Sequence, residues 1–566
     1  MKQALIGTML LVAGTAFAAA QAPQSDQGVA RLSLVQGDVS TQRGANADWQ
    51  AGAINAPMLT GDAVATAEGA RAEVALDFAD ILRLDANSQA TLANLSTHAL
   101  QVQVGQGLVD YSVLGGAEAA SELDTPNLAI HPKGRGIFRV QVNSDSETIV
   151  MVREGEADVS TSEGSATLHA GQMITVQGTD TPEYQIADAP GRDGFDDWNR
   201  QRDRSVENAQ SWGRANRYYT GVNDLDDYGH WVFVPGYGQV WQPAVDAGWS
   251  PYSVGRWVWE PGWGWTWVST EAWGWAPYHY GRWFYYQAGW VWWPGPVLVT
   301  PRFRPVWAPA YVAFLGFHAG GVSVGVGIGR VGWVPIGPAD PFHPWWGESR
   351  GTRVAVTVVE PLAPVSVRVR YSNVERISTD PHIAAGVVLV SGSRFGNGTV
   401  VRERVNITEV RNVTVINGRV PVAHTAASVR VSDREVRTEA LPRAAVERPT
   451  RFAGTPVATR PVPATRPGFQ RFGGSQPGAA PRPVAPRPEV TRPGGTRPEA
   501  SHPETTRPEA PRPQARPEHP AATPHANDPS WHRFNEAGRQ GNSKQDKSGA
   551  KKKNDSRGGG GGGVYR

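Results

Sequence analysis

Residues able to do chemistry occur throughout this 566-residue chain, but few stand at the spacing that chemistry needs. Gly327, Gly329 and Gly332 reproduce the G-x-G-x-x-G pattern with which a dinucleotide-binding turn brings backbone N–H groups to a pyrophosphate. That turn has to open a helix at its third glycine. Trp333-Val334-Pro335 follows instead, so a glycine-rich strand is the better reading. Asp224, Asp226, Asp227 and Gly229 hint at a calcium loop, yet Tyr228 stands where the fifth ligand belongs and Pro235 where the closing Glu should be. A turn with helix-cap duty is expected there. His230, His279, His318 and His343 lack ligand spacing. Asp246, Glu260 and Glu271 do not recur at matched positions, as a facing pair for glycoside hydrolysis would require. No Gly-x-Ser-x-Gly or His-Glu-x-x-His occurs. The expectation is a non-enzymatic chain with no catalytic residue, no metal and no cofactor.

The chemistry that does repeat is aromatic. Fourteen of the 22 tryptophans fall between Trp231 and Trp293, on a 26-residue period. Gly229-His230-Trp231, Gly255-Arg256-Trp257 and Gly281-Arg282-Trp283 mark three copies, with Pro235 matched by Pro261 and Trp241 by Trp267. A period of this length predicts small stacked units. Within the middle copy, Pro261-Gly262 suits the centre of a type II turn. The flanking segments alternate, so Trp257 and Trp259 share one face of a hairpin and Trp265 and Trp267 do likewise. Two readings of the indoles stay open: a core between neighbouring repeats, or an exposed strip for sugar rings or a partner. Core is expected for Trp257 and Trp283, and exposure for Trp263 beside the turn. Arg256 and Arg282 each precede a Trp and could lie over an indole face. Candidate ligand-binding residues are therefore Trp231, Trp257, Trp263, Trp283, Arg256 and Arg282.

Met1 to Ala20 has the layout of a secretory signal peptide: Lys2, an apolar run from Ala4 to Val12, and Ala16-Phe17-Ala18, with cleavage expected after Ala18. The apolar run is too short for a permanent span, and in the uncharged Val306–Gly329 stretch the second half, Gly320 to Gly329, alternates Gly with Val, Ser and Ile and reads as strand, so no transmembrane helix is expected after cleavage. Export to the periplasm, cell surface or medium follows. The chain has no Cys, which removes disulfides, thiolate metal sites and a Cys nucleophile. Its net charge of +2 is polarised: residues 441–566 hold 22 Lys+Arg and 10 Asp+Glu, a net +12, which leaves −10 for residues 1–440.

Residues 27–180 read as strand after strand, with segments such as Val29–Val35, Ile81–Leu84, Leu100–Val104, Phe138–Val142 and Met173–Val176 punctuated by Gly37-Asp38, Gly61-Asp62, Gly105 and Glu154-Gly155. Phe195, Trp198, Val206, Ala209 and Trp212 follow helical spacing and predict a charged amphipathic linker helix over 193–213. Residues 224–350 form the Trp-rich module, and 351–435 a Val-rich β segment. From about 440 to 566, Arg-Pro recurs and apolar residues are sparse, which predicts a disordered, polyproline-biased basic tail. The fold class is mainly β.

Gly61-Asp62-Ala63-Val64, Asp80-Ile81-Leu82-Arg83-Leu84 with Ser88, Thr125-Pro126-Asn127, Phe138-Arg139-Val140 and Val152-Arg153-Glu154-Gly155 occur in an order that resembles the periplasmic FecR-type β domain. The Asp-Gly turn usual before the Leu-Arg-Leu strand is replaced by Phe78-Ala79-Asp80. The resemblance implies a β domain outside the cytoplasm. FecR regulators relay signals through a cytoplasmic anti-sigma segment and a transmembrane helix, and neither is expected here. Asp224 to Val422, with Trp333-Val334-Pro335-Ile336-Gly337-Pro338 and Pro344-Trp345-Trp346, resembles an exported, proline-rich family with Trp-x-Pro repeats and no known activity. The combined expectation is a structural or interaction protein of the cell envelope. Alternatives are a glycan-binding module and an extracytoplasmic sensor with a separate signalling partner. Partners would be envelope glycans or anionic surface polymers met by the Trp repeats and basic tail, not nucleic acid.

Overall fold

The computed structural model describes residues 27–296, 305, 307–317, 329–346, 370–403, 405, 410, 413–447, 451–453 and 470–471. The cleavage site at Ala18, most of the Val354–Arg370 run and nearly all of the basic tail lie outside the described residues.

Seventeen strands between Ala30 and Asp188 build the amino-terminal domain. Its central element is the 15-residue strand Ala99–Val113. The first half of that strand pairs with Gln89–Leu95 and, in parallel, with Ala120–Asp124; the second half pairs with Asp80–Leu84 and Gly136–Ser144. One strand thus serves two sheets. Gly107 permits the change of direction: its φ is +90°, and a Cβ there would lie 2.4 Å from the Ser88 hydroxyl. Gly105, which reads as a turn residue in the sequence, does not end this strand: it is the unpaired residue of a β-bulge, with Gln106 opposite Gln89 and Val104 opposite Ala90. Alternating apolar residues, among them Leu82, Val102, Val109, Tyr111, Phe138 and Val140, form the buried core. In place of the Asp-Gly turn, the Asp77 carboxylate accepts from the N–H groups of Ala79 (2.7 Å) and Asp80 (2.8 Å) and turns the chain without a glycine.

Helix α1 (Gly194–Glu207) begins with a capping box between Asp193 and Asp196, and a 3-10 turn at Gln210–Gly213 follows. The predicted single helix is therefore two pieces.

All three hairpins are present: Gly229–Val234 with Gly238–Pro243, Gly255–Glu260 with Gly264–Ser269, and Arg282–Tyr286 with Gly289–Trp293. In the middle one, Gly262 has φ +80° and the Trp263 N–H donates to the Glu260 carbonyl (3.1 Å), the geometry a type II turn requires. They are not stacked as successive units. The first and third join in one four-stranded sheet, with Trp241 opposite Trp292, while the second stands apart as a two-stranded sheet. The cause is its two unlike faces. Val258 and Val268 belong to the apolar cluster of the amino-terminal domain, and Trp257, Trp265 and Trp267 to the aromatic cluster on the other side.

The Val-rich segment is not a separate unit. Val388–Ser391 and Val413–Val415 flank Arg330–Pro335 and Val312–Phe317 in a four-stranded sheet that closes the aromatic core. Arg330–Pro335 being strand, Gly332 opens no helix and the dinucleotide pattern is formal only. The chain also stays attached past residue 440: Trp49 Nε1 donates to the Ala445 carbonyl (3.0 Å) and the Ala453 N–H to that of Thr125 (3.0 Å). Residues 441–447 and 451–453 thus belong to the described fold, past the boundary near 440 expected from composition.

Candidate functional site

The tryptophans singled out by the repeat are interior residues. Trp257 and Trp283 are 1% and 0% exposed. Trp257 packs edge-on to Trp267 and Trp333 and lies 5.0 Å from the Phe314 ring. Trp283 donates its Nε1–H to the Pro277 carbonyl (2.8 Å). Trp263, expected outside, is only 4% exposed and meets Trp307 edge-on at 5.0 Å. Residues that arrive later in the chain cover the hairpin tip. Trp231 is half-buried, bonded through Nε1 to the Ser211 hydroxyl (2.9 Å), with Arg214 over its ring at 5.9 Å.

Neither repeat arginine lies over an indole. Arg282 is fully buried over the rings of Tyr311 (5.1 Å) and Phe342 (5.6 Å). Arg256 donates to the Arg430 carbonyl (3.2 Å) and pairs with Asp433, tying the second hairpin to the carboxy-terminal segment. The four named indoles and two arginines thus do not assemble into one exposed face. His279 is likewise interior: Nδ1 meets the Ala308 carbonyl at 2.8 Å, and burial brings its pKa down to about 3, which keeps the ring neutral.

Two polar assemblies were not foreseen. The first is a seam between the amino-terminal domain and the Trp-rich module. Arg31 donates to Asn55 Oδ1 (2.8 Å) and to the Ala272 carbonyl (2.8 Å) and pairs with Asp224. Asn55, wholly buried and at φ 61°, donates onward to the carbonyls of Ser269 (3.1 Å) and Glu271 (2.7 Å). Arg43 reaches the Trp259 carbonyl (2.7 Å) and Glu260. Burial outweighs that pairing and pushes the Glu260 carboxyl up to about 8. The acidic turn has its role here: Asp224 holds Arg31 and makes no helix cap, and Asp226 accepts from Ser211 and the Gln210 N–H. Among the described residues no group of three or more His, Cys, Asp or Glu could hold a metal ion.

The second assembly lies under α1. The helix buries Phe195, Asp196, Asn199 and Asp203, a mostly polar face. Beneath it, Arg83 is 0% exposed and pairs with Glu73 and Asp203, each at 2.7 Å. Arg202 adds a 2.6 Å bond to Glu73, and the two arginines hold the Glu73 carboxyl well below its ordinary range against the opposing effect of burial. Asp110, also buried, is pushed up to about 7, because burial outweighs the attraction of Arg83. Arg139 and Arg153 both reach Asp196, at 3.0 and 2.7 Å.

Residues 62–158 match the family described as FecR protein. The chain carries a FecR domain. Residues 222–340 match a second family, one of unknown function, DUF6600. No curated protein matches the chain. Two crystal structures of a candidate anti-sigma factor from Parabacteroides distasonis are similar at 20% and 19% identity, each with a TM-score of 0.20. The match covers 22% of this chain and 59% of that one. The seam joins the amino-terminal domain to the stretch that matches DUF6600, through Arg31, Arg43 and Asn55, which precede the FecR match; Arg83, Asp110, Arg139 and Arg153 lie within that match. The signal that could have found Arg83 is the Leu82-Arg83-Leu84 strand, which places an arginine inside an apolar run. Among the described residues no helix is long and apolar enough to cross a membrane.

Proposed function

We propose that this chain is an exported, non-enzymatic FecR-type interaction protein that works outside the cytoplasm and passes its state to a separate signalling partner. The observation that carries the reading is the seam. Arg31, Arg43 and Asn55 of the amino-terminal domain are bonded into the backbone of the Trp-rich module, so the two halves share buried polar contacts that neither completes alone. Removing one member of a buried pair leaves the other uncompensated, which couples the two halves energetically. Burial of the repeat indoles favours this role over a sugar strip running along the hairpins.

Transcript profiling of a strain lacking the gene tests the proposal. A defined set of envelope transcripts should change, and the full-length protein should restore it. A profile indifferent to the deletion refutes the regulatory role.

A further inference from the structure

A concavity in the Trp-rich module lies outside both assemblies. At the end of the sheet formed by the first and third hairpins, a cleft of about 260 Å³ is walled by Trp249, Tyr285 and Trp290. Gln242, Asp246 and His382 line it from three different segments. The aromatic walls are fixed from behind. Trp249 Nε1 donates to Glu271 (2.8 Å), Tyr285 stacks on the His382 ring at 4.4 Å and 9°, and Trp290 meets Tyr285 edge-on at 5.9 Å. Two glycines let the walls close up. A Cβ on Gly386 would lie 2.3 Å from Trp290 Cζ2, and one on Gly289 would lie 2.7 Å from the Gln242 amide nitrogen.

The polar groups are unspent. The Gln242 amide, the Asp246 carboxylate and the His382 ring nitrogens make no hydrogen bond to another described residue. Elsewhere in the module, the half-buried Glu271 and the buried Asp340 are bonded several times over. Ligand sites combine apolar walls with a small number of convergent polar groups, and drug-sized ligands occupy about 300–1,000 Å³, so this cleft suits a single ring. An amide, a carboxylate and an imidazole together supply donors and acceptors for hydroxyl groups, and indole and phenol rings receive the apolar C–H face of a pyranose.

We infer that the cleft between the 244–249 loop, the third hairpin and the helix Pro381–Ala385 binds one ring of a neutral saccharide. The ring lies against Trp249, Tyr285 and Trp290, and its hydroxyls bond to Gln242, Asp246 and His382. A small quaternary cation is the competing ligand, since it too uses aromatic walls and a carboxylate. It would leave the Gln242 amide and the imidazole without a role.

Calorimetric titration of the mature full-length protein with chitotriose, cellotriose and maltotriose, and with choline as the cation, tests the assignment. At least one trisaccharide should bind saturably and choline should not. Asp246→Ala and Gln242→Ala should each weaken that binding about tenfold, as loss of one hydrogen bond to the ligand does, with melting temperature unchanged because both side chains are unbonded in the free protein. Absence of binding by all three sugars, binding unaffected by both substitutions, or binding of choline in their place would overturn it. The transcript experiment is independent of this outcome, so either idea can fail alone.

Discussion

Replacing Arg83 by Met asks most directly what the polar face under α1 contributes. Met keeps a long unbranched stem, so the change removes charge and donors with little loss of volume. The cluster is balanced below about pH 7, where Asp110, its pKa raised to about 7, is neutral and Arg83 and Arg202 face the carboxylates of Glu73 and Asp203. Without Arg83 one buried negative charge has no partner. Breaking a buried pair in this way costs about 3–5 kcal/mol. In a domain of this size each kcal/mol lowers the melting temperature by about 2–4 °C, so a drop of about 6–20 °C is expected at pH 6, where Asp110 is still mostly neutral. The drop should shrink as pH falls, because protonation of a carboxylate restores the balance. Adding Asp203→Asn to Arg83→Met should recover part of the loss, a coupling of about 0.5–3 kcal/mol. Circular dichroism of the full-length variants reads all three quantities. A drop under about 2 °C, or a double variant that simply adds the two single losses, would refute the charge-balance argument.

Three further outcomes are expected. Asp110 has its pKa raised on folding, so its contribution is fully present below about pH 4, the unfolded carboxylate value, and is lost as pH rises through about 7; Asp110→Asn should therefore raise the melting temperature at pH 8 and leave it nearly unchanged at pH 4. Ala substitutions at Trp257, Trp283 and Trp263 should each cost about 3–5 kcal/mol in urea unfolding, whereas Phe233→Ser, at 65% exposure, should stay within about 0.5 kcal/mol. Equal stability of the Trp263 variant and the native protein would return that residue to the surface. Mass spectrometry of the protein from fractionated cells should find an amino terminus at Ala19, and an intact Met1 in the cytoplasmic fraction would count against export.

The parts of the fold legible in the sequence are those whose signal is local. Alternation exposed strands such as Phe138–Val142, and Pro261-Gly262 with its flanking indoles exposed the middle hairpin. Four-residue strands with a single valine among Ala, Ser, Thr or Gln, such as Val39–Gln42 and Ala63–Thr66, carry too little alternation to read. The helix was legible but its inner face was not. Apolar periodicity favoured Trp198 and Val206, whereas the FecR domain offers arginines and so buries Asp196 and Asp203. Contacts made late in the chain were invisible. Arg256 finds Asp433, 177 residues on, and Trp263 is sealed by Trp307 and Trp346. The saccharide cleft draws on three segments at once, with Gln242 near one end and His382 near the other, and no motif spans that distance.

The three copies of the 26-residue unit are near twins in sequence and strangers in surroundings. The outer two lie edge to edge, and the middle one turns its valines and Glu260 toward another domain. In a solenoid a unit can be added or lost because each meets an identical neighbour. Here excising the middle unit would leave Arg43 and Asn55 without acceptors, and inserting a fourth would separate Trp241 from Trp292. The tally of repeats is thus fixed by geometry, and the duplications that produced the module cannot be reopened without dismantling it.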